Sequence, residues 1–343
     1  MSNQVEVFLD VIPGETRGVI ARDGRCERLL IQREGDIPQQ RLGARSIGRV
    51  AQIDHGLNGA FIDLGGGEGF LPLGKTHDLQ QGGKIEVIVT AEPREQKTAV
   101  LRLIGKGEGE ARLLEPGEDV ARALARLAPG VEAVTGLEAL QAVGEAEDEA
   151  LARAALFPSV GLDLSIERTR ALIAIDMDYA PRPGLDARKG RRQANLAGLH
   201  QAARLLALRS WGGLAAIDLI GAGQDVEAVM AAARAAFGRD PDVVFGPINR
   251  FGVLMLSLPW RSTPIEDVLN GRDSRPSLET RAIAIVRQLK TAMLSDTASP
   301  RFTARCEPAE AAAAAPLVAR LGPRAHIMAD PAVAAARAVI EGG

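Results

Sequence analysis

Residues 170–220 read RALIAIDMDYAPRPGLDARKGRRQANLAGLHQAARLLALRSWGGLAAIDLI. ALIAIDMD is a strand, almost wholly apolar as far as Asp176. Residues 195–209 have helical spacing, with Leu196, Leu199, Ala203 and Leu206 on one face. Trp211-Gly212-Gly213 stops that helix, and LAAIDLI is a second apolar strand that ends near Asp218. A strand, a helix and a second strand in this order predict an α/β layer. Downstream, Asp225 is a candidate N-cap for a helix that carries Val226, Val229, Met230, Ala233 and Phe237 on one face. DVVFG and GVLMLSL then close the region as strands.

Each of the two apolar strands carries an aspartate at its end. A buried carboxylate is costly unless it is paired or binds a metal. Adjacent strands would bring Asp176 and Asp218 to one edge of the sheet. Two oxygen ligands on a rigid edge, with room left for water and phosphate, suit Mg²⁺. Asp178 points to the same side if the strand persists. The alternative is that these aspartates are helix caps or turn residues just beyond the strands. Arg182, Arg188, Lys189, Arg191 and Arg192 follow before the helix. A basic loop beside a carboxylate edge suits a phosphodiester backbone, and a solvated charge run is the plainer reading.

Outward from this segment the chain is β-rich at its start. Residues 1–35 predict three strands with a hairpin signal at Asp23-Gly24. Residues 36–104 hold five or six short strands separated by glycines, which predicts a small closed barrel. Phe61 and Phe70 lie on glycine-flanked barrel strands, and Arg49, Arg94 and Lys97 lie on neighbouring ones. Such barrels bind single strands by stacking bases on aromatics and steering phosphates with Lys or Arg. Equally, both rings could be core. Residues 105–116 read as a linker. DVARALARLA and EDEALARAAL read as helices, 262–298 as a helix pair or a helix after a loop, and the tail as a helix followed by a strand.

The chain has 343 residues, of which 46% are apolar and 25% charged, with a net charge of −3. That composition excludes general disorder and argues against a protein that coats nucleic acid, although it leaves room for a local basic groove. No apolar run spans a bilayer and no secretory signal is visible, so a cytoplasmic protein without membrane contact is expected. Cys26 and Cys306 cannot form a cysteine-rich zinc site, and His55, His77, His200 and His326 show no metal spacing. Nucleophile elbow, Walker loop and dinucleotide fingerprint are all absent from the sequence.

Four blocks resemble the ribonuclease E/G family in order and spacing. IGRV with LNGAFIDLGGGEGFLPL resembles its RNA-binding barrel, and RALIAIDMDYA its catalytic strand. ANLAGLHQAARLLALRSWGGLAAIDLI is similar to the following helix and second acidic strand, and INRFGVLMLS to its arginine-phenylalanine-glycine strand. The resemblance implies an α/β chain of several subdomains. An S1-type OB-fold barrel (36–104) would be inserted in a split RNase H-like subdomain (1–35 and 131–172). A DNase I-like nuclease subdomain (173–261) would follow, then a small α/β region (262–343), with 105–130 as a linker or a reduced 5′-end sensor.

The same resemblance implies an endoribonuclease acting on single-stranded RNA, leaving a 5′-phosphate and a 3′-hydroxyl. Asp176 and Asp218 would bind Mg²⁺, with Asp178 standing where the family usually has an asparagine. Phe61, Phe70 and Lys97 match barrel positions that contact RNA, and Arg250 matches the arginine of the third strand. Arg94 joins this RNA-contact set from its place beside Lys97. The family's Cys-Pro-x-Cys zinc link has no counterpart in EDVLNGRDSRPSLE (266–279), so a monomer or a zinc-independent homo-oligomer is expected. The rival expectation is a non-catalytic RNA-binding protein that retains the fold.

Overall fold

The computed structural model describes residues 4–74, 78–95, 97–181, 183–184, 186–221, 225–271 and 273–343. The chain falls into two compact units. One comprises Met1–Arg25, Leu29–Ala146 and Ser262–Gly343, the other Cys26–Arg28 and Glu147–Arg261.

The opening strands are β1 (Val5–Ile12), β2 (Glu15–Arg22) and β3 (Arg25–Arg33). The barrel follows as β4 (Arg45–Asp54), β5 (Gly59–Asp63), β6 (Glu68–Pro72), β7 (Lys84–Ala91) and β8 (Ala99–Lys106). These five pair in the order β5-β6-β8-β7-β4, and β4 also pairs with β5, which closes the ring into an OB-like barrel. Val50, Ala60, Ile62, Leu64, Leu71, Val87, Ala99 and Leu101 fill its interior. The expected linker is partly regular structure: β9 (Arg112–Glu115) pairs with β4 at Ser46↔Leu113 and Ile47↔Arg112. After α1 (Val120–Leu127), the short β10 (Ala133–Val134) adds in parallel to β1, and α2 (Leu137–Leu151) follows.

The second unit is built on a sheet of β11 (Ala154–Phe157), β12 (Leu162–Arg168), β13 (Ile173–Tyr179), β14 (Gly213–Asp218), β15 (Val244–Ile248) and β16 (Val253–Leu258). The order is β11-β12-β13-β14-β16-β15, and only β13 and β14 run parallel. Two helices, α3 (Ala187–Leu208) and α4 (Val226–Phe237), supply the crossovers. Period-2 alternation sorts the two faces. Leu164, Ile166, Ile173, Ile175, Met177, Ala215, Ile217, Leu254 and Leu256 are buried, with Leu199, Ala202 and Leu205 of α3 in the same core. The other face is exposed at Asp163, Ala174, Asp176, Asp178, Leu214 and Asp218. The boundary expected at 172/173 falls inside this sheet. β11 and β12 pair onto β13, so the unit begins at Glu147.

α3 also starts earlier than the apolar spacing suggests. Asp186 caps it by accepting from Lys189 N–H at 2.9 Å, so the basic run 188–192 is helical rather than loop. Arg182 lies outside the described residues.

The remaining elements are α5 (Ile265–Leu269), α6 (Leu278–Ser295), β17 (Phe302–Cys306), α7 (Pro308–Val318), β18 (Ala325–Ala329) and β19 (Val339–Gly342). Ile283, Val286 and Leu289 of α6 share a core with Phe302, Ala304 and Cys306 and with Ile12 of β1. α6 is also tied to the opening strands by buried charges. Asp10 and Glu15 are each 1% exposed. Arg287 donates to Asp10 Oδ2 at 3.1 and 3.2 Å and to Glu15 Oε1 at 3.2 Å, and Lys290 donates to Asp10 Oδ1 at 3.0 Å. Burial alone pushes the Glu15 carboxyl up, but Arg17, Arg287 and Arg33 reverse this and hold it below the usual carboxylate range. Among the described residues no helix is long and apolar enough to cross a membrane.

Arg287→Met should lower the unfolding free energy by about 3 kcal/mol. That is the lower end of the cost of breaking a buried pair, because Lys290 remains on Asp10. Urea unfolding checks it, and a loss below about 1 kcal/mol contradicts the clamp.

Candidate active site

Parallel pairing sets the acidic edge. β13 and β14 align Ile175 with Ile217 and Asp176 with Asp218. Residues in register on parallel strands point to the same face, about 4.8 Å apart. Asp176 lies in the middle of β13 and Asp218 is the last residue of β14, so neither is a helix cap. Asp178 keeps the same face because β13 runs on to Tyr179.

A fourth carboxylate, Asp163 on β12, stands opposite Asp178 in the antiparallel register. Sequence reading missed it, because LDLSIER shows alternation but not the register that brings it to this edge. Partial burial, then Asp178, Asp218 and Asp163, raise the Asp176 carboxyl above its usual range. Carboxylates gathered on one exposed face of adjoining strands could hold a divalent ion. Among the described residues, no three or more His, Cys, Asp or Glu side chains are arranged to hold a metal. Asp176 and Asp218 could hold an ion between them if water and substrate oxygens completed its shell, as Mg²⁺ commonly accepts.

The ends of these strands are held from two sides. Asn195 of α3, 1% exposed, accepts from Ile220 N–H at 2.9 Å and donates to Ile220 C=O at 3.2 Å. Leu219 N–H donates to Gly252 C=O at 3.4 Å. Gly252 closes a turn in which Asn249 Oδ1 accepts from Phe251 N–H at 2.9 Å and Val253 N–H at 3.1 Å. Val253 is the register partner of Asp218, so this turn lies at the same strand end. It presents Arg250, exposed, whose guanidinium is 4.7 Å from the Phe251 ring centroid. The role of Asn195 was not legible in the sequence, since its grip on Ile220 depends on how α3 packs beside the end of β14.

The barrel brings Phe61 and Phe70 together. They are register partners on β5 and β6, with centroids 5.4 Å apart and planes at 64°. Both are half-buried and lie on the outer surface, because Ala60, Ile62 and Leu71 beside them point inward. Phe70 lies across Gly59, where a Cβ would come within 2.0 Å of the ring, so no side chain fits there. The rings are therefore not core.

Lys97 is exposed on the β7–β8 turn, and its backbone bridges that of Arg94 at 2.8 and 3.1 Å. Burial lowers the pKa of the Arg94 guanidinium, while Glu95 and Asp267 pull it back up. His77 is outside the described residues. Cys26 and Cys306 are not joined in a disulfide.

Because the fold holds a proton on Asp176 more tightly than the unfolded chain does, this group's contribution to stability falls as pH rises through the ordinary aspartate pKa. Asp176→Asn should therefore stabilise the metal-free protein at neutral pH. The gain should stay below about 1 kcal/mol, since the group is exposed and screened. It should vanish at acidic pH, where the native carboxyl is neutral. Urea titrations at the two pH values check this, and destabilisation at neutral pH contradicts it.

The Ribonuclease E/G family model matches residues 121–258. The match takes in every strand of the six-stranded sheet, α3, α4, all four carboxylates and Arg250. No curated protein matches the chain. The acidic edge thus lies within the matched segment, which supports ribonuclease activity on RNA. The segment of residues 121–258 is thus similar to the ribonuclease E/G family.

Proposed function

We propose that the protein is a Mg²⁺-dependent endoribonuclease that cleaves single-stranded RNA. The observation that carries this reading is the in-register pair Asp176 and Asp218 on the exposed face of β13 and β14, inside the segment that matches the family. The proposed reaction adds water across a phosphodiester and leaves a 5′-phosphate and a 3′-hydroxyl. Asp176 and Asp218 would hold the ion. When bound, Mg²⁺ supplies Lewis-acid stabilisation of the phosphate and a more acidic water.

The protein's own groups do the rest. Asp176 must be ionised to serve as a ligand, so its raised pKa weakens cation binding as pH falls. Asp178 and Asp163 add negative charge that favours a divalent over a monovalent ion. Arg250, exposed at the adjoining turn, offers a fixed positive charge to a phosphate. Phe61 and Phe70 offer ring surface to stacked bases, while Lys97 and Arg94 offer charge to the backbone.

Asp218→Asn should abolish cleavage of labelled single-stranded RNA in Mg²⁺ and leave RNA affinity within a few-fold. Near-native cleavage by that variant would overturn the two-aspartate site. Binding without cleavage by the native chain would favour a non-catalytic RNA-binding protein instead. Phe70→Ala should weaken RNA binding by about 1–3 kcal/mol if one base stacks there. Its circular dichroism should stay native, because the ring is outside the barrel core. Unchanged affinity argues against stacking at this face.

A further inference from the structure

Arg188, Lys189, Arg191 and Arg192 occupy the first two turns of α3, and all four are exposed. This is an unfavourable place for cations. The start of a helix carries partial positive charge, so each adds a small repulsion rather than the 0.3–1 kcal/mol or so that an anion gains there. The Asp186 cap carboxylate sits at this helix start and bonds the backbone N–H of Lys189. Arg192 pairs with Asp225 at 3.2 Å, with both side chains more than half-exposed or close to it. Among the described residues no carboxylate pairs with Arg188, Lys189 or Arg191.

Three contacts fix where this patch lies. At Gly190 a Cβ would come within 1.9 Å of Tyr179 Oη, so the helix rests directly on Tyr179, one residue after Asp178. The Arg191 stem lies over Gly221, where a Cβ would be 3.3 Å from Cδ and 3.4 Å from Nε, three residues after Asp218. One turn further on, Asn195 grips Ile220 through both backbone groups. The cations are thereby held at the C-terminal ends of β13 and β14, where open α/β sheets bind ligands.

We infer that this patch is a phosphate-backbone site. It would grip the single-stranded RNA on one side of the carboxylate pair, independently of the barrel's aromatic face. The inference rests on the reading of Asp176 and Asp218 as the site of cleavage. Contacts of this kind hold phosphates and read no bases, so the grip should be indifferent to sequence.

The test compares the full native chain with a triple variant, Arg188→Gln, Lys189→Gln and Arg191→Gln, which leaves the Arg192–Asp225 pair intact. Binding of a labelled single-stranded RNA is followed by anisotropy across a salt series, in EDTA so that no cleavage intervenes. Loss of three phosphate contacts should reduce the slope of log K against log salt by about 2, and affinity at about 0.1 M salt by roughly 10–100-fold. The melting temperature should hold or rise, because cations have left a helix start. Arg188→Lys with Arg191→Lys should retain the native slope. In Mg²⁺ the triple variant should raise KM for cleavage and keep kcat within a few-fold.

A slope and affinity equal to native, or a native chain whose RNA binding does not respond to salt, would overturn the site. A fall in kcat with KM unchanged would also overturn it, because the patch would then act on the chemistry and not on binding. The EDTA binding arm requires no cleavage. Failure of the nuclease reading therefore shows separately, as a native chain that binds but does not cut.

Discussion

The acidic edge depends on one pairing. Among the described residues β13 and β14 are the only parallel neighbours in their sheet, and their register sets Ile175 against Ile217 and Asp176 against Asp218. A slip of one residue would turn Asp218 into the core and Ile217 out to water, so burial of the isoleucines enforces the juxtaposition of the carboxylates. Partial burial, then the charges of Asp178 and Asp218, raise the Asp176 carboxyl above its usual range. The hydrophobic face thus holds together a polar face that would not assemble by itself.

Everything around that pair stiffens the strand ends. α3 contributes a close glycine contact on Tyr179 and a two-point grip on Ile220, and the turn of residues 249–252 ties Leu219 from the other side. Groups fixed before a ligand arrives lose little freedom on binding it, which is what a metal edge and a phosphate track require. The barrel uses the same economy of form. At Gly59 the lack of a side chain leaves room for the tip of the Phe70 ring, while the interior residues Ala60, Ile62 and Leu71 close the core behind the two rings.

Much of this was legible in the sequence because period-2 and period-3.6 patterns carry the burial signal directly. The barrel strands, the apolar strands that carry Asp176 and Asp218, α4 with its Asp225 cap, and the helix of residues 308–318 all follow from such patterns, although β13 runs on past Asp176 to Tyr179. What was hidden depends on register and tertiary partners. Asp163 joins the edge only because β12 pairs antiparallel with β13. The stretch around Arg112 reads as linker because its strand character comes from pairing with β4 and not from its own alternation. The early start of α3 was masked by a run of charges that only the Asp186 cap reveals as helix. β12 looked like the end of one subdomain, yet its place beside β13 makes it part of the next.

The most direct test of the central claim is titration of Mn²⁺, as a spectroscopic stand-in for Mg²⁺, followed by electron paramagnetic resonance. The native chain should bind Mn²⁺ at the carboxylate edge with an affinity that falls as pH drops and Asp176 takes up its proton. Asp176→Ala and Asp218→Ala should each remove that binding while circular dichroism remains native. Undiminished Mn²⁺ binding in both variants would contradict the account.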